Sequence, residues 1–280
     1  MQKNKIPVID FHVHLTDYDF FRESAYTWFA QMFETKEEYE RFREKYSDPD
    51  TFCELLKENG VDYAVILAEV APITTGVAPN KLVEDFCKER DELIPFCTLN
   101  PYDTPDLGST LEDLYYNHGF KGVKLYPTYN YFYPNDPKLY PLYAVAQKLN
   151  IPVLFHTGSS IFKGSRIKYG NPIFFDDVAV DFPDLKIVMA HGGRGFWYNE
   201  AVMMVRLHEN VYIEVSGLPP KKLLEYFPEL ERFSDKFIFG SDWPSVDVKK
   251  NIEAIHSLDI SQEAKEKILG GNAQKILGIK

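Results

Sequence analysis

The sequence predicts a closed (β/α)8 barrel, a TIM barrel, and three observations predict it. Eight short runs rich in β-branched and aromatic residues alternate with helical stretches along the chain, the pattern of a parallel sheet made of strand-then-helix units. Four histidines and an aspartate fall at or just beyond the carboxyl ends of those runs, where such a barrel carries its site. The length of 280 residues suits one barrel of about 250 residues with an insertion. A doubly wound open sheet is the lesser alternative.

The first strand spans Ile6 to Leu15, where apolar residues bracket Asp10, His12 and His14. From Thr16 to Pro49 follows a segment with ten aromatic residues among many charges, its Glu/Lys/Arg-rich second half helical in pattern. A barrel normally has a short loop at this point. The segment is therefore expected to be an insertion folded over the barrel mouth, a lid. The remaining strands are Asp62 to Ala68, Leu93 to Leu99, Gly122 to Tyr126, Val153 to His156, Lys186 to His191, Val211 to Val215 and Lys236 to Gly240. Helical stretches run over Asp50 to Asn59, Asn80 to Glu89, Thr110 to Asn117, Lys138 to Leu149, Pro172 to Phe182, Tyr198 to His208, Lys221 to Phe227 and Val248 to Leu258. Asn59-Gly60 and His118-Gly119 are the turn residues expected past a helix end. Ser261 to Gly278 reads as two short closing helices. No composition shift or linker divides the chain, so residues 1–280 are expected to form a single domain with residues 16–49 as its lid.

An apolar fraction of 45% with 15% aromatic residues is enough for one large core. Met1 to Lys5 lead straight into a strand, with no run resembling a secretory leader or a membrane span. A cytoplasmic protein is the expectation. Cys53, Cys87 and Cys97 form no close-spaced motif and an odd number leaves one unpaired, which argues against a disulfide framework. They read as core residues. With 42 acidic against 31 basic residues, the net charge of -11 opposes approach to a phosphate backbone or an anionic membrane. Neither nucleic acid nor a membrane is expected as a partner.

Side chains alternate across a strand, so His12 and His14 share a face. Neutral imidazole suits zinc and its divalent neighbours, and a shared metal ion is a common reason for such a pair. Taken alone, the pair is also compatible with chance on a half-exposed strand. His156 and His191 end the fifth and sixth strands, Asp242 follows the eighth, and Lys124 lies near the end of the fourth. His118, His208 and His256 fall near helix ends, where a capping or surface role suffices. Three imidazoles and a carboxylate with room left for water describe a catalytic metal site. His12, His14, His156 and Asp242 could ligate one ion, with His191 left free for proton transfer.

These residues resemble the amidohydrolase superfamily, within it the branch related to aminocarboxymuconate semialdehyde decarboxylase. The likeness runs from Asp10-Phe11-His12-Val13-His14 through Gly122-Val123-Lys124-Leu125, Phe155-His156-Thr157-Gly158, Ala190-His191-Gly192-Gly193 and Phe239-Gly240-Ser241-Asp242-Trp243-Pro244 to the closing Gly271-Asn272-Ala273-Gln274-Lys275-Ile276-Leu277. The resemblance implies one divalent ion, zinc first with manganese, iron or cobalt as alternatives, on His12, His14, His156 and Asp242. It implies His191 as the catalytic histidine. Asp242, touching both metal and water, could also accept the water's proton. In binuclear members a lysine placed like Lys124 is carboxylated and bridges two metals. Otherwise Lys124 must turn to the substrate or pair with a buried acid.

Tyr126, Tyr129, Tyr131, Phe132 and Tyr133 follow the fourth strand, and Arg166 and Arg194 follow the fifth and sixth. Arginine grips carboxylates in a bidentate fork, so Arg194 first, then Arg166, with Tyr126, are expected to bind a carboxylate-bearing small molecule. The leading expectation is hydrolysis, with metal-activated water attacking an ester, lactone or amide carbonyl. The alternative is non-oxidative decarboxylation of an aromatic or unsaturated acid. Some decarboxylases of this branch have a glutamate where His12 stands, a variant this chain does not follow. A nonenzymatic metal-binding barrel is disfavoured by the open coordination position, and a metal-dependent nuclease by the acidic balance. A homodimer is expected from the family likeness.

Overall fold

Eight parallel strands close into a barrel in the computed structural model, which describes residues 6–279. Met1 to Lys5, expected to lead straight into the first strand, lie outside the described residues. In chain order the strands are β1 (Ile9–His14), β2 (Phe20–Phe21), β3 (Tyr63–Leu67), β4 (Glu69–Ala71), β5 (Gly76–Ala78), β6 (Leu93–Cys97), β7 (Gly122–Leu125), β8 (Pro152–His156), β9 (Lys186–Ala190), β10 (Val211–Glu214) and β11 (Phe237–Ile238). The barrel runs β1-β3-β6-β7-β8-β9-β10-β11. Hydrogen bonds from Phe11 N to Phe239 O (3.0 Å), from Asp242 N to His12 O (2.9 Å) and from His14 N to Trp243 O (2.9 Å) join the last segment to the first. The eight-stranded barrel expected from the sequence is the fold observed.

Alternation along these strands sorts side chains between two cores. Ile9, Phe11, Val65, Leu67, Ile94, Phe96, Leu154, Val188 and Ile238 form the inner one, closed by Ala273 and Ile276 of the final helix Asn272–Leu277. Ala64, Ile66, Val123, Val153, Phe155, Ile187 and Ile213 point outward into the core shared with the surrounding helices. β1 breaks strict alternation. Its register against β3 slips by one residue between Asp10 and Val13, a bulge that lets Phe11 and His12 both face the interior. Gly122 is required in β7 because the Phe96 ring fills the space beside it, and an added Cβ would lie 2.3 Å from that ring. Lys124, two residues on, keeps the inward face.

Between β1 and β3 the insertion forms helices Glu23–Ala30 and Lys36–Ser47. The second begins at Thr35, whose hydroxyl accepts from Glu38 N at 3.1 Å, a side-chain cap on an otherwise orphaned donor. The next helix, Pro49–Glu58, has Asp48 as its cap and proline in its first turn. β2 pairs with β5, and β5 with β4, in a small antiparallel sheet. Phe42, Tyr46 and Phe52 gather round Trp243 at ring distances of 5.8, 5.7 and 4.8 Å. Cys53, Cys87 and Cys97 are buried and free, as expected. Among the described residues no helix is long and apolar enough to cross a membrane.

Candidate active site

The carboxyl ends of the strands open into a cavity of about 530 Å³. His12 and His14 enter it from β1 with their Nε2 atoms 3.2 Å apart. Asp242 Oδ1 lies 3.5 Å from each of them. Ligand atoms about 3.3 Å apart are what a tetrahedral ion with bonds of about 2.0–2.1 Å demands. These three side chains form a group able to hold an ion, their ligand atoms all within 4.8 Å of one another. His156 is outside that close set. Its Nε2 is buried without a hydrogen-bond partner, an unmet valence that an ion could satisfy. Its ring packs against Tyr129 and His191 at 4.8 and 4.7 Å.

The neighbours of each imidazole fix which nitrogen is bare. His12 Nδ1 lies 2.8 Å from Glu214 Oε2 and 2.9 Å from Ser216 Oγ, and a carboxylate only accepts, so Nδ1 carries the proton and Nε2 presents its lone pair. His191 Nδ1 donates to the Ser216 carbonyl at 2.8 Å. The neutral His191 ring therefore has a bare Nε2. Burial holds His12, His156 and His191 well below the ordinary imidazole range, which favours the neutral form that ligation or proton transfer needs. His14 differs. Burial works to lower it, but the carboxylates of Asp242 and Glu69 outweigh burial and hold it up at about 9. Burial likewise opposes ionisation of Asp242, yet His14, His12 and Arg194 keep that carboxyl below its usual range.

Lys124 is fully buried with its Nζ 3.5 Å from His12 Nε2. Burial pushes this ammonium down and the Glu214 carboxyl up, while their mutual attraction opposes both shifts. Arg194 lines the cavity, donating from Nε and Nη2 to Ser159 O (3.3 and 3.0 Å) and from Nη1 to Gly217 O (3.4 Å). Three of its five N–H groups are thus engaged and two remain. Tyr126 also lines the cavity, although its hydroxyl donates to Ala68 O at 2.9 Å. Arg166 is placed elsewhere, with its guanidinium 4.3 Å from the Tyr131 ring centroid, and is absent from the cavity wall.

Sequence reasoning missed Glu69, Glu214 and Ser216. Glu69 accepts from Tyr18 OH at 3.0 Å and from the Thr75 hydroxyl, and its Oε2 stands 3.3 Å from His14 Nδ1, outside hydrogen-bond direction. Glu214 did carry a signal. An acid at the end of a predicted barrel strand, on its inward face, has to meet a cation or a donor. Trp28, Phe29 and Met32 of the insertion line the same cavity.

An amidohydrolase family model matches residues 9–279. The chain belongs to that family. It is 23% identical to gamma-resorcylate decarboxylase of Rhizobium sp. (strain MTP-10005), over 81% of this chain and 86% of that one. It is 22% identical to 2-amino-3-carboxymuconate-6-semialdehyde decarboxylase of Dictyostelium discoideum, over 83% and 77%. In three dimensions it superposes on a dihydroxybenzoic acid decarboxylase of Polaromonas sp. JS666, which holds manganese and the inhibitor 2-nitroresorcinol. The TM-score there is 0.73, with 17% identity over 98% of this amidohydrolase and 97% of that chain.

These relatives overturn the leading expectation of hydrolysis and favour its alternative. The physical reason the sequence pointed the wrong way is that one set of metal-ligand residue types serves both reactions. A divalent ion polarises bound water or a bound carboxylate with the same ligands, so His12, His14 and Asp242 do not discriminate between them.

Proposed function

We propose that this amidohydrolase is a metal-dependent, non-oxidative decarboxylase of an aromatic or unsaturated carboxylic acid. The observation that carries this reading is the agreement between relatives that span four-fifths of the chain and a cavity floor where two cationic side chains adjoin the cluster of His12, His14 and Asp242. His12, His14 and Asp242 would hold the ion, with His156 offering its unpartnered Nε2. Zinc suits the imidazole-rich set and manganese is the ion in the Polaromonas relative. A divalent ion at this position supplies Lewis-acid polarisation of substrate oxygens.

The side chains do the rest. Arg194, with two free N–H groups, and Lys124 receive the substrate carboxylate in a buried setting where charge-assisted bonds are strong. The bond between carbon and carboxylate breaks, carbon dioxide leaves, and the electron pair stays on carbon. That carbon takes one proton, so acid anion plus proton gives the protonated carbon compound and carbon dioxide. His191, whose bare Nε2 is set by the Ser216 carbonyl, relays the proton. Asp242 serves as ligand and keeps its negative charge beside it. Lys124 acts here as an ammonium; a mass increase of a carboxyl group on it would instead make it a bridge. The segment 16–49 excludes water as a lid, in a single-domain enzyme proposed to pair as a homodimer.

The test is carbon dioxide release from a panel of hydroxybenzoates and unsaturated acids by protein of measured metal content. Release that disappears on metal removal and returns on reloading is expected. Fully loaded protein that releases none from any member overturns the proposal.

A further inference from the structure

We propose that the cavity contains, above its charged floor, an aromatic subsite for an apolar substituent, so that the preferred acid carries a second ring or an alkyl chain. The subsite rests on the decarboxylation reading only for the identity of the acid head.

Size is the first observation. A cavity of about 150 Å³ accommodates a benzene ring, and this one measures about 530 Å³. A one-ring acid bound at the floor would leave most of it filled with water. The second observation is how the lining changes with depth. His12, Lys124, His156 and His191 at the floor are almost completely buried, whereas Met32 and Ile161, on the same cavity, are 44% and 59% exposed. Polar chemistry is therefore deep and apolar surface lies outward.

The third observation is that the aromatic wall is continuous. The Tyr129 ring stands 4.8 Å from His156 and 6.4 Å from Phe162, and Phe162 in turn stands 5.4 Å from Trp28 and 5.9 Å from Phe29. Tyr129 presents its ring and not its hydroxyl, which is engaged with Ser160 Oγ at 2.9 Å. A planar apolar body laid along this wall would have its carboxylate end at Lys124 and Arg194 and its far end against the face that Trp28 and Phe29 of the helix Glu23–Ala30 form together with Phe162. Packing alone does not account for the wall. Trp28, Phe29 and Phe162 are only partly buried, and all three face the cavity. Each buried methylene is worth about fourfold in affinity, so a chain of several carbons should show clearly above the cost of ordering it.

The test is calorimetric binding to the metal-loaded enzyme of 2-hydroxybenzoate and of its 4-phenyl and 4-pentyl derivatives. At least one derivative should bind tenfold or more tightly than the parent. In Trp28→Ala, and independently in Phe162→Leu, the ratio of the two dissociation constants should fall towards one; both variants are checked for an unchanged circular dichroism spectrum. Equal affinities for parent and derivatives in the wild type overturn the subsite, as does a ratio that survives both substitutions. Carbon dioxide release is read in parallel. A derivative that binds tightly without release speaks against decarboxylation and leaves the subsite standing, whereas release from the parent with no gain from either tail removes the subsite alone.

Discussion

His191 and Asp242 both have left-handed backbones, at φ of 63° and 69°. For residues with a Cβ this costs on the order of 1–3 kcal/mol and persists only where the surroundings impose it. At His191 the Ser216 carbonyl orients the ring without engaging Nε2. His191→Asn should therefore keep about one equivalent of metal by elemental analysis while turnover falls roughly two to four orders of magnitude. Loss of metal together with activity would make His191 a ligand and revive the two-metal reading with a carboxylated Lys124. Glu214 makes the complementary case, because it acts on His12 and not on substrate. Glu214→Gln should weaken metal affinity by about 10–100-fold, measured by chelator competition; unchanged affinity would reduce Glu214 to a partner of Lys124. The histidines were legible because each ends a strand, and period two alone puts His12 and His14 together. Glu214 carried only the signal of an acid at an inward strand end, and Ser216 none, because their partner His12 lies some two hundred residues away in sequence and no local spacing records that contact.

At the scale of elements, the strands were easier to read than their neighbours. Barrel strands buried on both faces show as short, mostly apolar runs, and all eight were legible even where Asp10, His12, His14 or Lys124 interrupts them. β4 and β5 were not, since three-residue strands lack a period to detect. The helix expected from Thr110 begins at Leu107 instead. Its first turn contains Gly108, a weak helix former that lies against Pro141, whose carbonyl oxygen would be 3.3 Å from an added Cβ. Asp106 caps that turn, accepting from Ser109 N at 2.9 Å. Asp106→Ala should lower stability by about 1 kcal/mol, seen as a small drop in melting temperature with metal content unchanged. A drop as large as that from a core truncation would mean that the cap supports more than its own helix. The expected helix over Lys221 to Phe227 is a 3-10 turn, Pro220–Lys222, followed by one turn of α-helix, Leu223–Tyr226. Pro219 and Pro220 at its start set that geometry.

For the whole molecule the decisive feature is the seam where the chain meets its own beginning. β11 has only two residues, so the barrel closes there through few backbone bonds, and the bonds at Asp242 and Trp243 reach back to His12 and His14. The seam that closes the fold thus also sets the distance between the β1 imidazoles and the Asp242 carboxylate. Asp10 clasps it from within. Its Oδ1 accepts from Ser241 N at 2.8 Å and from His12 N at 3.2 Å, fully buried. Asp10→Ala would strand two buried donors, each at about 1–3 kcal/mol, so the melting temperature should fall well beyond the effect of Asp106→Ala. Asp10→Asn retains an acceptor oxygen at the same place and should recover much of the loss. Because the clasp and the metal group share one seam, Asp10→Ala should also bind metal more weakly, although Asp10 is not itself proposed as a ligand. Stability lost with metal affinity intact would separate barrel closure from assembly of the site and overturn that coupling.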